Sequence, residues 1–463
     1  MKSKKEIQLS VIKGDKLFNE YTPFVINIII PDSKKLQKHS NADIICVIDI
    51  SGSMSGSKIN LVKESLKILI KLMDKNDRIA LILFNDEAKE EFNLTFCANE
   101  KKPELNIKID TIEAGGGTNI LSGLKMAIDL LINDKEKTKN NRASSILLLS
   151  DGCDNNLNDF ELGQELKNLT KGKGLDFTLS TFGYGNDHDP KIMKKLASIR
   201  DGSFFFVDNL DKVVEFFGIA LGTCVSVISN KASLVVELLN KKCKIIKVFG
   251  KEYFFNHEIK SNFFTTTFLN FASGKDFTYV LEFEICLKNV KIGEDLLLVD
   301  FIYQDKDYNF CKISKKYKYT LTDINHEKAN EEYIRCQVYS VIDESLKLKE
   351  NYNNDKAEKI LNDMKNWLIE NNKKYSKKKL FLNDINKALD YYKNKKEFKN
   401  EEKADIINNI FENTTKRESS LKRLYYNSSS DHYSATSRRI LLNERERKEI
   451  TIINDKKKKC IIF

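Results

Sequence analysis

Short apolar runs alternate with amphipathic segments over residues 43–222, and this alternation restricts the fold more than any other feature. Runs such as ADIICVID and DRIALILF are nearly continuous in apolar residues, as strands covered on both faces are. Between them, Ile59, Val62 and Leu66 recur at steps of three and four residues, the period of an amphipathic helix. Alternating strands and helices predict an α/β fold with a doubly wound, mostly parallel sheet.

Five oxygen-bearing residues lie at or near the ends of these predicted strands or in loops that open helices. They are Asp49, Ser51, Ser53, Thr118 and Asp151. In doubly wound sheets, ligands bind beyond the carboxyl ends of the strands. Hard cations such as Mg²⁺ take about six oxygen ligands. The sequence therefore predicts a divalent-metal site with one coordination position left for an oxygen from outside.

The spacing Asp49-x-Ser51-x-Ser53, with Thr118 and Asp151 in later segments, resembles the metal-ion-dependent adhesion site of the von Willebrand factor A (vWA) family. The resemblance implies the Rossmann-like vWA fold and a Mg²⁺ ion, or another divalent cation such as Mn²⁺. It also implies that three hydroxyls contact the ion, while the carboxylates act directly or through water. An ion held in this way is short of negative charge and accepts an Asp or Glu carboxylate from a protein partner.

Catalytic and nucleotide-binding interpretations fit the same segments less well. A phosphate-binding P-loop needs Lys-Ser or Lys-Thr after its last glycine, whereas the three glycines before Thr118 lead into Thr-Asn. Catalysis requires a placed base or nucleophile. His188 lies in a predicted loop, and Cys153 is a soft thiol that suits Mg²⁺ poorly. We expect a binding protein and no enzyme. The alternatives are a regulatory vWA protein with a purely structural metal, and a metal-dependent hydrolase that uses an ion at Asp49 and Asp151.

A chain of 463 residues predicts several domains. Residues 1–40 contain strand-like segments, and residues 41–222 form the predicted vWA domain. Residues 223–323 contain a succession of strand candidates that predict an antiparallel β-sandwich, which the N-terminal strands complete. The period becomes helical over residues 324–413, which predicts a C-terminal helical bundle. Residues 414–463 have no sustained period and predict a flexible basic tail.

The last four residues form a C-a-a-X box that begins at Cys460 and ends at Phe463, which predicts geranylgeranylation of Cys460. Four lysines precede the box and supply a second membrane signal: Lys456, Lys457, Lys458 and Lys459. Residues 416–459 contain seven more basic than acidic residues, of the chain's formal +10. A nucleic-acid partner is the rival explanation for such a tail, but a polybasic run beside a lipidation motif favours an anionic membrane surface.

Several features predict a cytoplasmic protein on the cytosolic face of a membrane. The nine cysteines are scattered without a C-x-x-C pair, so neither a zinc ribbon nor a disulfide framework is predicted. The first residues contain no apolar signal-peptide segment. No run of about 18 apolar residues could span a bilayer. We expect no nucleic-acid partner and no small-molecule substrate.

Overall fold

The computed structural model of the chain describes most residues from 6 to 393, and Ile406. The described ranges are 6–30, 41–134, 142–152, 154, 158–185, 188–207, 210–225, 227–251, 254, 256–272, 276–285, 290–305, 309–321, 325–350, 353–371, 377–393 and 406. The basic tail and its C-a-a-X box lie outside them. In the described part of the chain, no helix combines the length and apolar character needed to cross a membrane.

A six-stranded sheet forms the centre of an α/β unit. Its strands are β3 (Ala42–Asp49), β4 (Arg78–Phe84), β5 (Ala88–Phe96), β6 (Ala143–Ser150), β7 (Phe177–Tyr184) and β8 (Phe204–Val207). Their spatial order is β5-β4-β3-β6-β7-β8, and only β5 is antiparallel to its neighbour. The helices of this unit within the described residues are α1 (Ser57–Leu72), α2 (Lys102–Asp110), α3 (Ile120–Asn133), α4 (Asp159–Thr170), α5 (Pro190–Ile199) and α6 (Leu210–Val225).

Apolar side chains bury both faces of this sheet. Every residue of β3, β4, β6 and β7 is buried. Leu66 of α1 and Phe217 of α6 pack in the cluster on one face. Leu124 of α3, Leu166 of α4 and Leu196 of α5 pack in the cluster on the other face. The predicted doubly wound, mostly parallel sheet is confirmed.

Two antiparallel sheets form a second unit. The strands outside the α/β unit are β1 (Gln8–Lys13), β2 (Thr22–Ile29), β9 (Val227–Leu238), β10 (Lys244–Val248), β11 (Asn256–Lys260), β12 (Phe263–Ala272), β13 (Asp276–Glu284), β14 (Asp295–Gln304) and β15 (Phe310–Lys318). One sheet has the order β1-β2-β13-β10, and the other β11-β12-β9-β14-β15. Phe24, Leu281, Leu234 and Phe301 share the core between the sheets. The N-terminal strands thus lie in the antiparallel unit, and the α/β unit is inserted in the chain between β2 and β9 of that unit.

In the described part of the chain, three long C-terminal helices pack against one another, and the first of them also packs against the first antiparallel sheet. They are α7 (His326–Glu350), α8 (Asn354–Glu370) and α9 (Lys378–Lys393). The carboxylate of Glu282 on β13 is buried and accepts hydrogen bonds at Oε1 from Asn19, Tyr333 and Gln337, at 3.0, 2.5 and 3.0 Å. It therefore joins the N-terminal loop, the sheet and α7. The antiparallel sheets and C-terminal helices are confirmed, while the exact domain boundaries stay a prediction.

Candidate metal centre

Asp49 ends β3, and the chain then turns through a short 3-10 helix, Gly52–Met54, before α1 begins. The backbone N–H of Ser51 donates a hydrogen bond of 2.9 Å to Oδ1 of Asp49. The hydroxyl oxygens of Ser51 and Ser53 lie 3.0 Å apart. Asp49 and Ser51 are buried, whereas Ser53 is exposed. Three of the predicted oxygens therefore lie in one tight turn that opens to solvent on the Ser53 side.

The loop that carries Thr118 is hydrogen-bonded to this turn. The N–H of Gly115 donates to the carbonyl of Ile50 at 2.6 Å, and the N–H of Gly52 donates to the carbonyl of Gly116 at 2.9 Å. Gly116 has a φ of 90°, and an added Cβ would approach the side chains of neighbouring Asn85 and Asp86 to 2.9 Å. Gly116 therefore lets its loop lie against Asn85 and Asp86, and Thr118 in the same loop is buried.

Asp151 follows β6 on the other side of β3. The hydroxyl of Ser150 donates a hydrogen bond of 2.5 Å to Oδ2 of Asp49, and the N–H of Gly152 donates to that hydroxyl at 2.8 Å. Asp154, in the same loop, accepts from the N–H of Ile120 at 2.8 Å. The third loop is thereby tied to the first through Asp49 and to the second through the start of α3.

The two carboxylates of the site are both fully buried. The pKa of Asp49 is raised to about 6, chiefly by burial; hydrogen bonds from Ser150 and Ser51 lower it, and the nearby negative charge of Asp151 adds to the rise. The ionised form of Asp49 is thus costly in the absence of a cation.

An ammonium group already faces one of these carboxylates. Nζ of Lys58, in the first turn of α1, lies 3.0 Å from Oδ2 of Asp151, and the Lys58 side chain is only 15% exposed. The lysine supplies positive charge where the sequence predicts a metal ion. In this structure the ammonium of Lys58 balances the negative charge of Asp151.

The donor set fits a hard divalent cation. Buried carboxylates and hydroxyls are the ligands that Mg²⁺ accepts. No three His, Cys, Asp or Glu side chains form a metal-binding cluster within the described residues, so the candidate ligands here are largely hydroxyls. The structure brings the loops of all five predicted residues together, and their assignment as metal ligands stays a prediction.

Sequence reasoning missed two residues of the site. Ser150 is the last residue but one of the predicted strand SSILLLSD, and Lys58 ends the polar turn that precedes the first predicted helix. A hydroxyl before Asp151 and a lysine at the start of α1 carry no distinctive spacing, since their roles depend on how β3, β6 and α1 meet. His188 is in the predicted loop, but its ring is buried, with Nδ1 2.7 Å from the carbonyl of Gly185 and its plane stacked on Phe206. Cys153 lies outside the described residues.

Comparisons with known proteins concern the family and the fold of this unit. Residues 43–218 match the family described as von Willebrand factor type A domain. The chain is 29% identical over 202 residues to uncharacterized protein YfbK of Escherichia coli K12, covering 42% of this chain and 33% of that protein. It is 30% identical over 158 residues to inter-alpha-trypsin inhibitor heavy chain H3 of Pongo abelii, covering 34% of this chain and 18% of that one. The chain thus spans a third or less of the length of these two relatives, and neither name states an enzymatic activity.

A solved structure extends the likeness beyond the α/β unit. The structure of a von Willebrand factor type A protein from Catenulispora acidiphila aligns with a TM-score of 0.64 at 16% identity, covering 83% of this chain and 89% of that chain. At this identity the likeness concerns the fold alone. Together with the family match, it identifies a vWA domain in this chain.

Proposed function

We propose that the protein binds a partner protein through a divalent cation held by Asp49, Ser51, Ser53, Thr118 and Asp151. The observation that carries this proposal is the buried carboxylate pair, in which Asp151 faces the ammonium of Lys58 at 3.0 Å. The vWA domain supports it, since domains of this family typically mediate protein interaction or adhesion. We propose Mg²⁺ as the ion, with Mn²⁺ as a close substitute.

The residues of the chain orient the site before any ligand arrives. The N–H of Ser51 and the hydroxyl of Ser150 hold the two oxygens of Asp49, which fixes the plane of that carboxylate. When bound, the cation supplies a coordination position that an Asp or Glu carboxylate of a partner can fill. The exposed Ser53 marks the side from which that carboxylate approaches.

Metal binding is tested first with Mn²⁺ alone as the probe, by calorimetry on the full chain. We expect Ser51→Ala and Asp151→Ala to weaken Mn²⁺ binding by about tenfold or more, because each removes a ligand oxygen. Ser55→Ala is the matched control, since Ser55 is an exposed serine of the same turn. Equal Mn²⁺ affinity in all four proteins would show that the ion is held elsewhere.

Partner binding is tested with displayed peptides that differ by a single Asp→Asn or Glu→Gln exchange. We expect acidic peptides to bind in Mg²⁺ and to be released by EDTA. If the protein retains its peptide in EDTA and after Asp151→Ala, the ion has a purely structural role and the carboxylate-capture mechanism is wrong.

We also propose that the tail attaches the protein to the cytosolic face of a membrane through a prenyl group on Cys460. The support is the motif itself and the adjacent lysines Lys456–Lys459, whose charge adds about 1 kcal/mol each at an anionic surface. Cys460→Ser should move the protein from the membrane to the supernatant fraction in a cell with prenyltransferases. Cys311→Ser, at a half-buried thiol of β15, is the matched control. Unchanged fractionation of Cys460→Ser would remove the anchor.

A further inference from the structure

A second site lies where the α/β unit meets the antiparallel unit. The ends of α4 and α5 and the start of β11 enclose a cleft of about 620 Å³. The side chains that give the cleft its character are Lys167, Lys171, Lys195, Arg200, Asn256 and His257, and we call it the cationic cleft. Four of these residues carry a positive charge, and none of the described residues that line the cleft is acidic.

The cationic cleft is remote from the candidate metal centre. Phe177, which contacts Arg200, begins β7 and pairs with Ser144 at the start of β6, whereas Asp151 follows the last residue of β6. Six residues of strand separate the two levels, or about 20 Å at 3.3 Å per residue. A ligand in the cleft therefore has no contact with the metal site.

Arg200 forms a fixed positive charge beside the floor of the cleft. It is 4% exposed, its guanidinium lies 3.9 Å from the centre of the Phe177 ring, and one terminal nitrogen donates to the carbonyl of Leu175 at 2.6 Å. Burial lowers the pKa of Arg200 to about 10, and the charges of Asp176 and Asp201 oppose this. The side chain is thus held in place, with its charge shared between the cleft and these two aspartates.

The other three positive charges of the cleft belong to lysines. Within the described part of the chain, Lys167, Lys171 and Lys195 take part in no ion pair. The ends of α4 and α5 each carry about half a negative charge, which attracts lysines without any ligand. Within the described residues, the two helix ends together offset about one of the three lysine charges, and Arg200 is set against its own aspartates. Helix-end stabilisation alone does not explain the cluster.

We propose that the cationic cleft binds a phosphorylated polyol. A phosphate monoester carries about −1.5 to −2 charges, so a group of lysines attracts it more strongly than it attracts a single carboxylate. A volume of about 620 Å³ suits a small organic ligand and far exceeds a bare phosphate ion. The amides of Gln164, Asn168 and Asn256 can hydrogen-bond to hydroxyl groups. Phe254 and Ile199 are the main apolar lining groups, which offers little surface to a nucleobase.

The ligand could come from solution or from a lipid headgroup, and the test separates these sources. Calorimetry on the full chain uses inositol trisphosphate as the probe, with inositol and inorganic phosphate as comparisons. We expect the trisphosphate to bind, inositol not to bind, and inorganic phosphate to bind much more weakly. Flotation with phosphatidylcholine vesicles, with and without a phosphoinositide, then assigns the source.

The decisive variant is Lys167→Gln combined with Lys195→Gln, which should weaken trisphosphate binding by about tenfold for each lysine removed. Its matched control is Lys125→Gln combined with Lys241→Gln, at exposed positions that do not line the cleft. Equal weakening in both double variants would indicate general charge attraction and overturn the proposal, as would failure of the wild type to bind the trisphosphate. Loss of phosphoinositide-dependent flotation in the cleft variant alone would assign the ligand to a lipid, because both variants keep the basic tail.

Discussion

At the scale of single residues, Asp49 shows how far the site depends on a cation. Two hydrogen bonds hold its carboxylate, yet burial keeps its pKa near 6, well above the ordinary value of 3.8. In the metal-free protein, the folded state therefore binds this proton more tightly than the unfolded state does. The contribution of Asp49 to stability is present below the ordinary pKa and is lost as the pH rises through the raised value, by about 3 kcal/mol in all.

Because ionised Asp49 destabilises the metal-free protein, the effect of one substitution on stability should change sign when metal is added. In EDTA near neutral pH, Asp49→Asn should unfold at a higher temperature than wild type, because the costly charge is gone. The gain should vanish in acid, where Asp49 is protonated. In Mg²⁺ the wild type should become the more stable of the two, since only it retains the ligand. Thermal unfolding followed by circular dichroism measures all three, and a variant less stable than wild type in EDTA would contradict the proposed cost.

Lys58 should compete with the metal ion. Because its ammonium pairs with Asp151, a divalent ion must displace this contact before it gains the carboxylate. Lys58→Gln should therefore tighten Mn²⁺ binding by about tenfold, which corresponds to about 1.4 kcal/mol. Lys71→Gln, at an exposed position of the same helix, should leave the affinity unchanged. Weaker binding after Lys58→Gln would mean that the lysine positions Asp151 for the ion.

The predicted oxygens could be found from sequence because each lies at or near the end of a strand or in a loop between a strand and a helix. A strand of continuous apolar residues ends where polar residues begin, and parallel strands end at the same edge of the sheet. Lys58 and Ser150 could not be found in this way. Lysine and serine are common beside any strand or helix, and only the packed structure shows that these two reach Asp151 and Asp49.

At the scale of helices and strands, alanine substitution at two glycines inside helices should have opposite effects on stability. Gly123 of α3 lies so close to the sheet that a Cβ would approach Val47 and Phe84 to 2.8 Å. Gly163 of α4 faces the flexible side-chain ends of Ile199 and Lys195, at 3.1 and 3.3 Å. Alanine favours a helix over glycine by about 1 kcal/mol. The steric clash should outweigh this gain in helix stability at Gly123 but not at Gly163.

We therefore expect Gly123→Ala to lower the free energy of unfolding by about 1–3 kcal/mol, the usual cost of overpacking. Gly163→Ala should be neutral or slightly stabilising. Denaturant unfolding of both variants measures the difference. Equal effects would show that α3 can move away from the sheet without loss.

Sequence periodicity missed β5 and α2, for a physical reason. The burial of β5 is irregular, with Phe92 its one buried residue, because the strand lies at the sheet edge. In α2 only Leu105 and Ile109 are buried. Elements with so little buried surface leave no strong pattern, whereas β3 and β6, buried along their whole length, could be predicted directly.

At the scale of the whole molecule, Glu282 connects three parts of the chain. Glu282→Ala would leave the buried hydroxyl of Tyr333 without its acceptor and should cost about 3 kcal/mol of stability. Glu282→Gln keeps an acceptor oxygen of the same shape and should stay close to wild type. Hydrogen exchange of α7 should accelerate in the alanine variant only. Glu284→Ala, at an exposed position of the same strand, is the control, and similar exchange in all variants would show that α7 is held by its apolar contacts alone.

The pairing of β2 with β13 has a consequence for folding during translation. Asn27 and its hydrogen-bonded neighbour Thr278 are 251 residues apart. At ordinary rates of translation, β2 waits roughly tens of seconds for this neighbour to emerge. The inserted α/β unit can fold during that interval. The apolar side chains of Phe24, Ile26 and Ile28 stay exposed to solvent meanwhile, because, of their later neighbours, only β1 has been synthesised. The nascent chain should therefore need chaperone protection early, at its first fifty residues, and lose that need once β13 has left the exit tunnel.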